Sequence, residues 1–309
     1  MKKRVVVALG HRALGTTLPE QKIAVKNTAK CIADLIEEGY QVAITHSNAP
    51  QVGMIHTAMN EFAKAHPEYT ACPMSVCSAM SQGYIGYDIQ NSLRAELLQR
   101  GIYRCVATVL TQVTVDPYDD TFYRPAKVIG RYLTEEEAAA EEKKGNYVVE
   151  EPGKGYRRIV AAPKPLDIVE IDAINALADA GQIVIAGGGG GIPVMKQRNH
   201  LKGASAIIEK DLLSGRLADL TDADMLMILT NDEHVVIGYD SDSPTVLKQI
   251  TAAEALEHIR NHEFGENKML PKIEASVHFV SQKPGRSAVI TSLDKARDAY
   301  LGKTGTIIS

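Results

Sequence analysis

The chain has 309 residues, 45% hydrophobic and 23% charged, enough to bury a sizeable core as one large α/β unit or as two lobes. Its 34 basic and 38 acidic residues give a net charge of -4 with no long run of one sign, which argues against a nucleic-acid partner. No apolar segment reaches membrane-spanning length, and the stretch from Met1 to Gly10 lacks a signal peptide's apolar core and cleavage site. A cytoplasmic protein with no membrane partner is expected, with Cys31, Cys72, Cys77 and Cys105 as reduced core residues.

Apolar runs alternate with segments of helical period, the pattern of βαβ units in a doubly wound, mostly parallel sheet sandwiched by helices. Val5 to Leu9 reads as a buried strand. Ala24, Ala29, Ile32 and Ile36 then mark a helical stripe ending near Gly39, and Gln41 to Thr45 resumes a strand. Ile85, Ile89, Leu93 and Leu97 keep an i, i+4 stripe up to Gly101, after which Cys105 to Val115 reads as one long strand. From Pro117 to about Pro165 the texture turns to charges, Pro, Gly and Tyr, with Thr134 and Glu137 as a capping box. This segment, about 117–162, reads as an inserted subdomain of an N-terminal lobe covering 1–165, with Pro163-Lys164-Pro165 as hinge. In the C-terminal lobe, 166–309, strands at Gln182 to Ala186, Met225 to Thr230 and Ser287 to Thr291 alternate with helices starting near Lys210, Thr251, Met269 and Ser292.

Parallel strands deliver ligands at their carboxyl ends, where glycine lets backbone N–H groups reach phosphate oxygens. Ala8-Leu9-Gly10 is one such end, and Gly187-Gly188-Gly189-Gly190-Gly191, directly after a strand, is a stronger one that could form a polyphosphate nest or serve only as a flexible turn. Neither fits the Walker signature or the dinucleotide fingerprint, so any nucleotide bound here is held by another architecture.

The chain resembles carbamate kinase, of the amino acid kinase family, at many blocks in the same order. They include Thr45-His46-Ser47-Asn48-Ala49-Pro50-Gln51, Ala79-Met80-Ser81-Gln82-Gly83-Tyr84, Thr111-Gln112-Val113 and Pro125-Ala126-Lys127-Val128-Ile129-Gly130. Past the hinge they include the glycine run, Glu209-Lys210-Asp211-Leu212 and Met269-Leu270-Pro271-Lys272. The resemblance implies an amino-acid-kinase-type fold and a homodimer through the N-terminal lobe. It also implies exchange of phosphate between ATP and carbamate, giving ADP and carbamoyl phosphate, in arginine or purine-derivative breakdown. Lysines suit such chemistry, because phosphoryl transfer needs charge neutralisation and placement more than covalent help. By the same resemblance Lys127 belongs to the subdomain closing over the site, Lys210 contacts the transferred phosphoryl group, Lys272 faces the nucleotide phosphates, and Asp211 orients the lysines. Gly10, His11, Arg12, Ser47, Asn48, Ala49, Gly187, Gly188 and Gly189 line the phosphate and acceptor side. Adenine is expected against Thr230, Val235, Tyr239 and Met269, with Mg²⁺ bridging the phosphates through few protein ligands and no dedicated metal motif.

Two blocks depart from the family. Gly-Gly-Asn-Ala has become Gly10-His11-Arg12-Ala13, and Thr-His-Gly-Asn-Gly-Pro-Gln has become Thr45-His46-Ser47-Asn48-Ala49-Pro50-Gln51. The lost glycines suggest dihedrals that a side chain disfavours, with His11 projecting into or beside the acceptor space. A further departure, Asn267-Lys268 before Met269, adds a cation near the nucleotide phosphates. Three readings stand: carbamate kinase activity, phosphorylation of another carbamate or carboxylate with Arg12 as a clamp, or a catalytically weak binder of nucleotide or carbamoyl phosphate.

Overall fold

The computed structural model describes residues 3–238, 243–265 and 269–309. Strand β1 (Arg4–Leu9) is buried from Val5 onward, as an unbroken apolar run must be inside a sheet covered on both faces. Helix α1 (Leu18–Glu37) starts at a capping box, Thr17 accepting from the Glu20 N–H and Glu20 from the Thr17 N–H, and buries Val25, Ala29, Ile32 and Ile36. After β2 (Gln41–His46) come α2 (Ala49–Ala65) and α3 (Met74–Gln99), the latter burying Ile85, Ile89, Leu93 and Leu97.

The long strand expected at 105–115 is two strands, β3 (Val106–Thr108) and β4 (Gln112–Thr114), in different sheets. The break lies at Val109 to Thr111. There the Val109 N–H still donates to Ile185 O of the first sheet, whereas the Thr111 N–H is diverted to the Gln82 side chain of α3 at 2.8 Å, and Leu110 is exposed between them. Cys105, just before β3, is exposed rather than in the core; Cys77 is buried, Cys31 and Cys72 are partly so, and all four are free thiols.

Residues 127–160 form a separate antiparallel sheet in the order β5 (Lys127–Leu133), β7 (Gly155–Val160), β6 (Tyr147–Glu151). Helix α4 (Glu135–Lys143) lies against it and starts at the capping box of Thr134 and Glu137. The chain continues through β8 (Asp167–Ile168), α5 (Ile171–Asp179), β9 (Ile183–Ile185), the glycine run, the hairpin β10 (Ile192–Gln197) and β11 (His200–Gly203), α6 (Lys210–Leu220) and β12 (Met225–Thr230). It ends with the hairpin β13 (Val235–Ile237) and β14 (Thr245–Leu247), β15 (Gln249–Ile250), α7 (Ala252–Arg260), α8 (Leu270–Gln282), β16 (Ser287–Ser292), α9 (Ala296–Tyr300) and β17 (Thr306–Ile308). The helix expected from Ser292 is delayed, a short 3₁₀ turn at Leu293–Lys295 preceding α9.

Among the described residues the main sheet has eight strands in the order β15-β17-β16-β12-β1-β2-β9-β3, all parallel except where β16 meets β17. This is the doubly wound α/β sheet. Side-chain alternation sends Val5, Val7 and Leu9 into a core shared with α1 and α3, and Val6 and Ala8 into a second core shared with α5, α6 and α8. Because β1 pairs Leu9 with His46 on one side and with Leu229 on the other, the carboxyl ends of β12, β1 and β2 finish level on one edge. No helix among the described residues is long and apolar enough to cross a membrane.

Candidate active site

Backbone bonds lock the strand ends on that edge: the Gly10 N–H donates to Leu229 O and the Ser47 N–H to Leu9 O, both at 3.0 Å. The glycine run that follows β9 packs onto them. A Cβ at Gly188 would come within 2.3 Å of His46 Nε2, and at Gly190, φ +88°, within 2.1 Å of the Ile208 carbonyl oxygen, so no larger residue fits without moving a neighbour or the backbone. Gln82 holds the run from α3, donating to Gly188 O at 3.0 Å, and Thr111 Oγ1 accepts from the Gly187 N–H at 2.8 Å. The Gly190 and Gly191 N–H groups turn inward to Gly187 O and Gly188 O. The expected five-glycine nest therefore narrows to the N–H groups of Gly188 and Gly189, which take no partner among the described residues. Gly189 lies over the Asn48 amide, which donates to Ser81 Oγ at 2.8 Å.

Three lysines separated by more than sixty residues converge beside this edge. Lys210 opens α6, and its Nζ donates to Asp211 Oδ1 at 2.5 Å; Lys272, in the first turn of α8, donates to Asp211 Oδ2 at 2.8 Å. Packing of α6 against α8 brings the two helix N-termini to one carboxylate, whose side chain is only 6% exposed. Burial pushes the Asp211 carboxyl up, but the Lys210 and Lys272 ammoniums outweigh it and hold the group below its ordinary range. Burial pushes the Lys210 ammonium below its ordinary value, and Lys272 adds to this against the pull of Asp211. Lys127, first residue of β5, donates to the Glu209 carboxylate. The cluster thus holds three ammoniums and two carboxylates, a net +1 in a partly desolvated setting suited to an incoming phosphoryl group.

His46 lies beneath the glycine run, fully buried, its Nδ1 at 2.9 Å from Ser47 O; burial takes it down to about 4, so it is neutral at pH 7. Thr45 Oγ1 and Ser214 Oγ are 2.6 Å apart, and Ser214 also bonds Lys210 O, tying β2 to α6. Neither His46 nor Glu209 stood out in the sequence as a site residue. A signal was present for each, since both lie inside blocks with family resemblance, next to Ser47 and Lys210 respectively.

The four departures sit where the resemblance placed them, on the adjacent ends of β1 and β2, but the strain they suggested is absent. None of His11, Arg12, Ser47 and Ala49 has a positive φ. His11 and Arg12 lie exposed on a 3₁₀ turn; His11 Nε2 is 3.2 Å from Thr16 Oγ1, and Arg12 makes no hydrogen bond or ion pair with the described residues. Ala49 is exposed in the first turn of α2, and Ser47 Oγ is buried without a partner. On the opposite side, Thr230 ends β12 half-buried and Met269, at the N-cap of α8, packs partly into the core. Val235 is a fully buried core residue whose N–H donates to Thr306 Oγ1 at 2.8 Å, so neither its side chain nor its amide is open to an adenine. Tyr239, Asn267 and Lys268 lie outside the described residues.

The amino acid kinase family model matches residues 3–292. The chain is 51% identical over 308 residues to the carbamate kinase-like protein YqeA of Escherichia coli, covering 100% of this chain and 99% of that protein. It is 45% identical over 306 residues to carbamate kinase of Staphylococcus haemolyticus, covering 99% of each. Its fold is similar to that of Giardia lamblia carbamate kinase bound to AMP-PNP, with a TM-score of 0.93 at 36% identity, over 99% of this chain and 98% of that one.

Proposed function

Since this chain belongs to the amino acid kinase family and is a kinase of the carbamate kinase type, we propose that it exchanges a phosphoryl group between ATP and carbamate, yielding ADP and carbamoyl phosphate. The observation that carries this reading is the convergence of Lys127, Lys210 and Lys272 with Asp211 beside the strand-end edge. In the forward direction a carbamate oxygen attacks the terminal phosphorus of ATP and the bond to the bridging oxygen of ADP breaks. Lys210 neutralises charge on the transferring group, Lys272 faces the nucleotide phosphates, Lys127 approaches from the inserted sheet, and Asp211 fixes the first two ammoniums in place. The free N–H groups of Gly188 and Gly189 add a phosphate cradle, with the nucleotide lying toward Thr230 and Met269. Residues 1–165 are read as the acceptor lobe, including the insert, and 166–309 as the nucleotide lobe.

Among the described residues no three His, Cys, Asp or Glu converge, and the two carboxylates at the cluster, Glu209 and Asp211, are engaged by lysines. With those carboxylates engaged, a Mg²⁺ ion would be held chiefly by the nucleotide phosphates and would supply neutralisation of their charge. Operation in the cytoplasm, as a homodimer through the N-terminal lobe and within arginine or purine-derivative breakdown, belongs to the same proposal.

A second reading, a larger carbamate or carboxylate acceptor, is favoured by the exposed Arg12, unpaired among the described residues, at the strand end where the family carries asparagine. The deciding experiment is a coupled assay of ATP formation from Mg-ADP and carbamoyl phosphate. Robust turnover supports carbamate kinase activity. Nucleotide binding with no turnover removes that reading and leaves a changed acceptor or a weak homologue, which a screen of carbamates and carboxylates with Mg-ATP separates.

A further inference from the structure

Of the two carboxylates at the lysine cluster, Asp211 has an evident part, bridging Lys210 and Lys272. Glu209 does not. It occupies the N-cap position of α6 yet makes no capping bond with its side chain, which instead accepts from Lys127 Nζ. The side chains of Lys127 and Glu209 are 30% and 27% exposed, so the pair is partly open to solvent. Its backbone frame is fixed: Lys127 pairs with Val160, Ala161 bridges Ala206, and the Ile207 N–H donates to Ala161 O at 3.0 Å. The root of the inserted sheet and the segment entering α6 are therefore joined by backbone contacts beside this pair. An anion at the start of a helix, paired with a lysine, occupies the kind of position that a phosphoryl group would take.

We infer that Glu209 is a positioning residue that holds the Lys127 ammonium in the empty site and yields it to the incoming phosphoryl group, so that a ligand must outcompete a carboxylate to reach it. This rests on the reading of Lys127 as a phosphoryl contact. A phosphoryl dianion at a given distance gains twice the Coulomb attraction of a carboxylate, whereas a monoanion such as acetate gains no advantage over Glu209. Glu209 thereby selects for phosphorylated ligands over the small carboxylates and bicarbonate that would otherwise pair with Lys127.

The test titrates the parent, Glu209→Gln and Lys127→Met with inorganic phosphate and with acetate by calorimetry, and measures initial rates with carbamoyl phosphate and Mg-ADP. Glu209→Gln should bind phosphate about two- to fivefold more tightly, the factor for releasing a part-exposed ion pair. It should also gain acetate binding, and show a lower KM with a lower kcat, because Lys127 is freer but less well placed. Lys127→Met should bind phosphate more weakly. A purely structural pair would shift both variants the same way, with KM rising. Weaker phosphate binding in Lys127→Met beside unchanged or weaker binding in Glu209→Gln overturns the role of Glu209 and leaves that of Lys127. Unchanged binding in Lys127→Met removes the reading of Lys127, and this inference with it. Glu209→Ser should reproduce the signs of Glu209→Gln and decides the matter if the glutamine variant does not fold.

Discussion

Lys210 stands between two acids in sequence, yet only Asp211 holds it; Glu209 turns to Lys127 instead. Burial works against the Lys210 ammonium, and the 2.5 Å contact with Asp211 offsets only part of it, an expensive arrangement to maintain for stability alone. Lys210→Ala should lower carbamoyl-phosphate-dependent ATP formation by about 10²- to 10³-fold, the scale for removing one preorganised donor, with the urea midpoint close to the parent's. An unchanged rate in the folded variant would show that this lysine does not meet the phosphoryl group. His46 gives the site a pH dependence of stability. Its folded value of about 4 lies below the ordinary 6.5, so its contribution is fully present above pH 6.5. As pH falls from 6.5 toward 4 the unfolded chain takes up a proton that the folded chain refuses, weakening folding by about 3 kcal/mol across that window. Urea unfolding between pH 4 and 7 measures it, and His46→Gln should flatten the slope; an equally steep profile in that variant would assign the acid sensitivity to other groups.

Among the elements, the turns following β1 and β2 carry the departures from the family. Because His11, Arg12, Ser47 and Ala49 are accommodated without left-handed backbone, their effect on function acts through side chains rather than through strain. Restoring the family residues with His11→Gly, Arg12→Asn, Ser47→Gly and Ala49→Gly should therefore raise carbamoyl phosphate turnover by up to about a hundredfold, by removing bulk where the acceptor must approach. Parent and four-site variant measured side by side decide it. Equal and robust turnover by both would mean that these side chains stand clear of the acceptor.

For the molecule as a whole, the proposed nucleotide side keeps its parts: the two glycine-run amides without a partner among the described residues and the Asp211 lysine pair. Mg-ADP should raise the melting temperature and give saturable heat at millimolar concentration even in a variant that cannot turn over. No response in either measurement would remove the premise shared by every catalytic reading. The proposed homodimer has a candidate face on α3, where Val76, Met80 and Tyr87 recur at helical spacing and lie exposed at 42%, 41% and 66%. Light scattering should report twice the monomer mass, and Tyr87→Glu should shift it toward monomer; a monodisperse monomeric parent would exclude this assembly.

The amino-acid sequence sets the alternation of buried strands and amphipathic helices, because β1, α1 and α3 declare their buried faces through local periodicity. It also determined, through family resemblance, which lysines to watch. It carries an apolar stripe on α2, Val52, Ile55, Met59 and Phe62, yet the helix leaves Met59 and Phe62 exposed and buries Gln51, so that stripe does not mark a core face. It misread residues 105–115, because the bond that diverts Thr111 comes from Gln82 on a distant part of α3. It could not separate amides in the glycine run that are free from those that are spent, since Thr111 and the turn's own carbonyls make that choice. Nor could it indicate that Lys127 meets Glu209 while Lys210 and Lys272 share Asp211. Pairings across 82 and 61 residues depend on where the inserted sheet and α8 come to rest against α6, which packing alone decides.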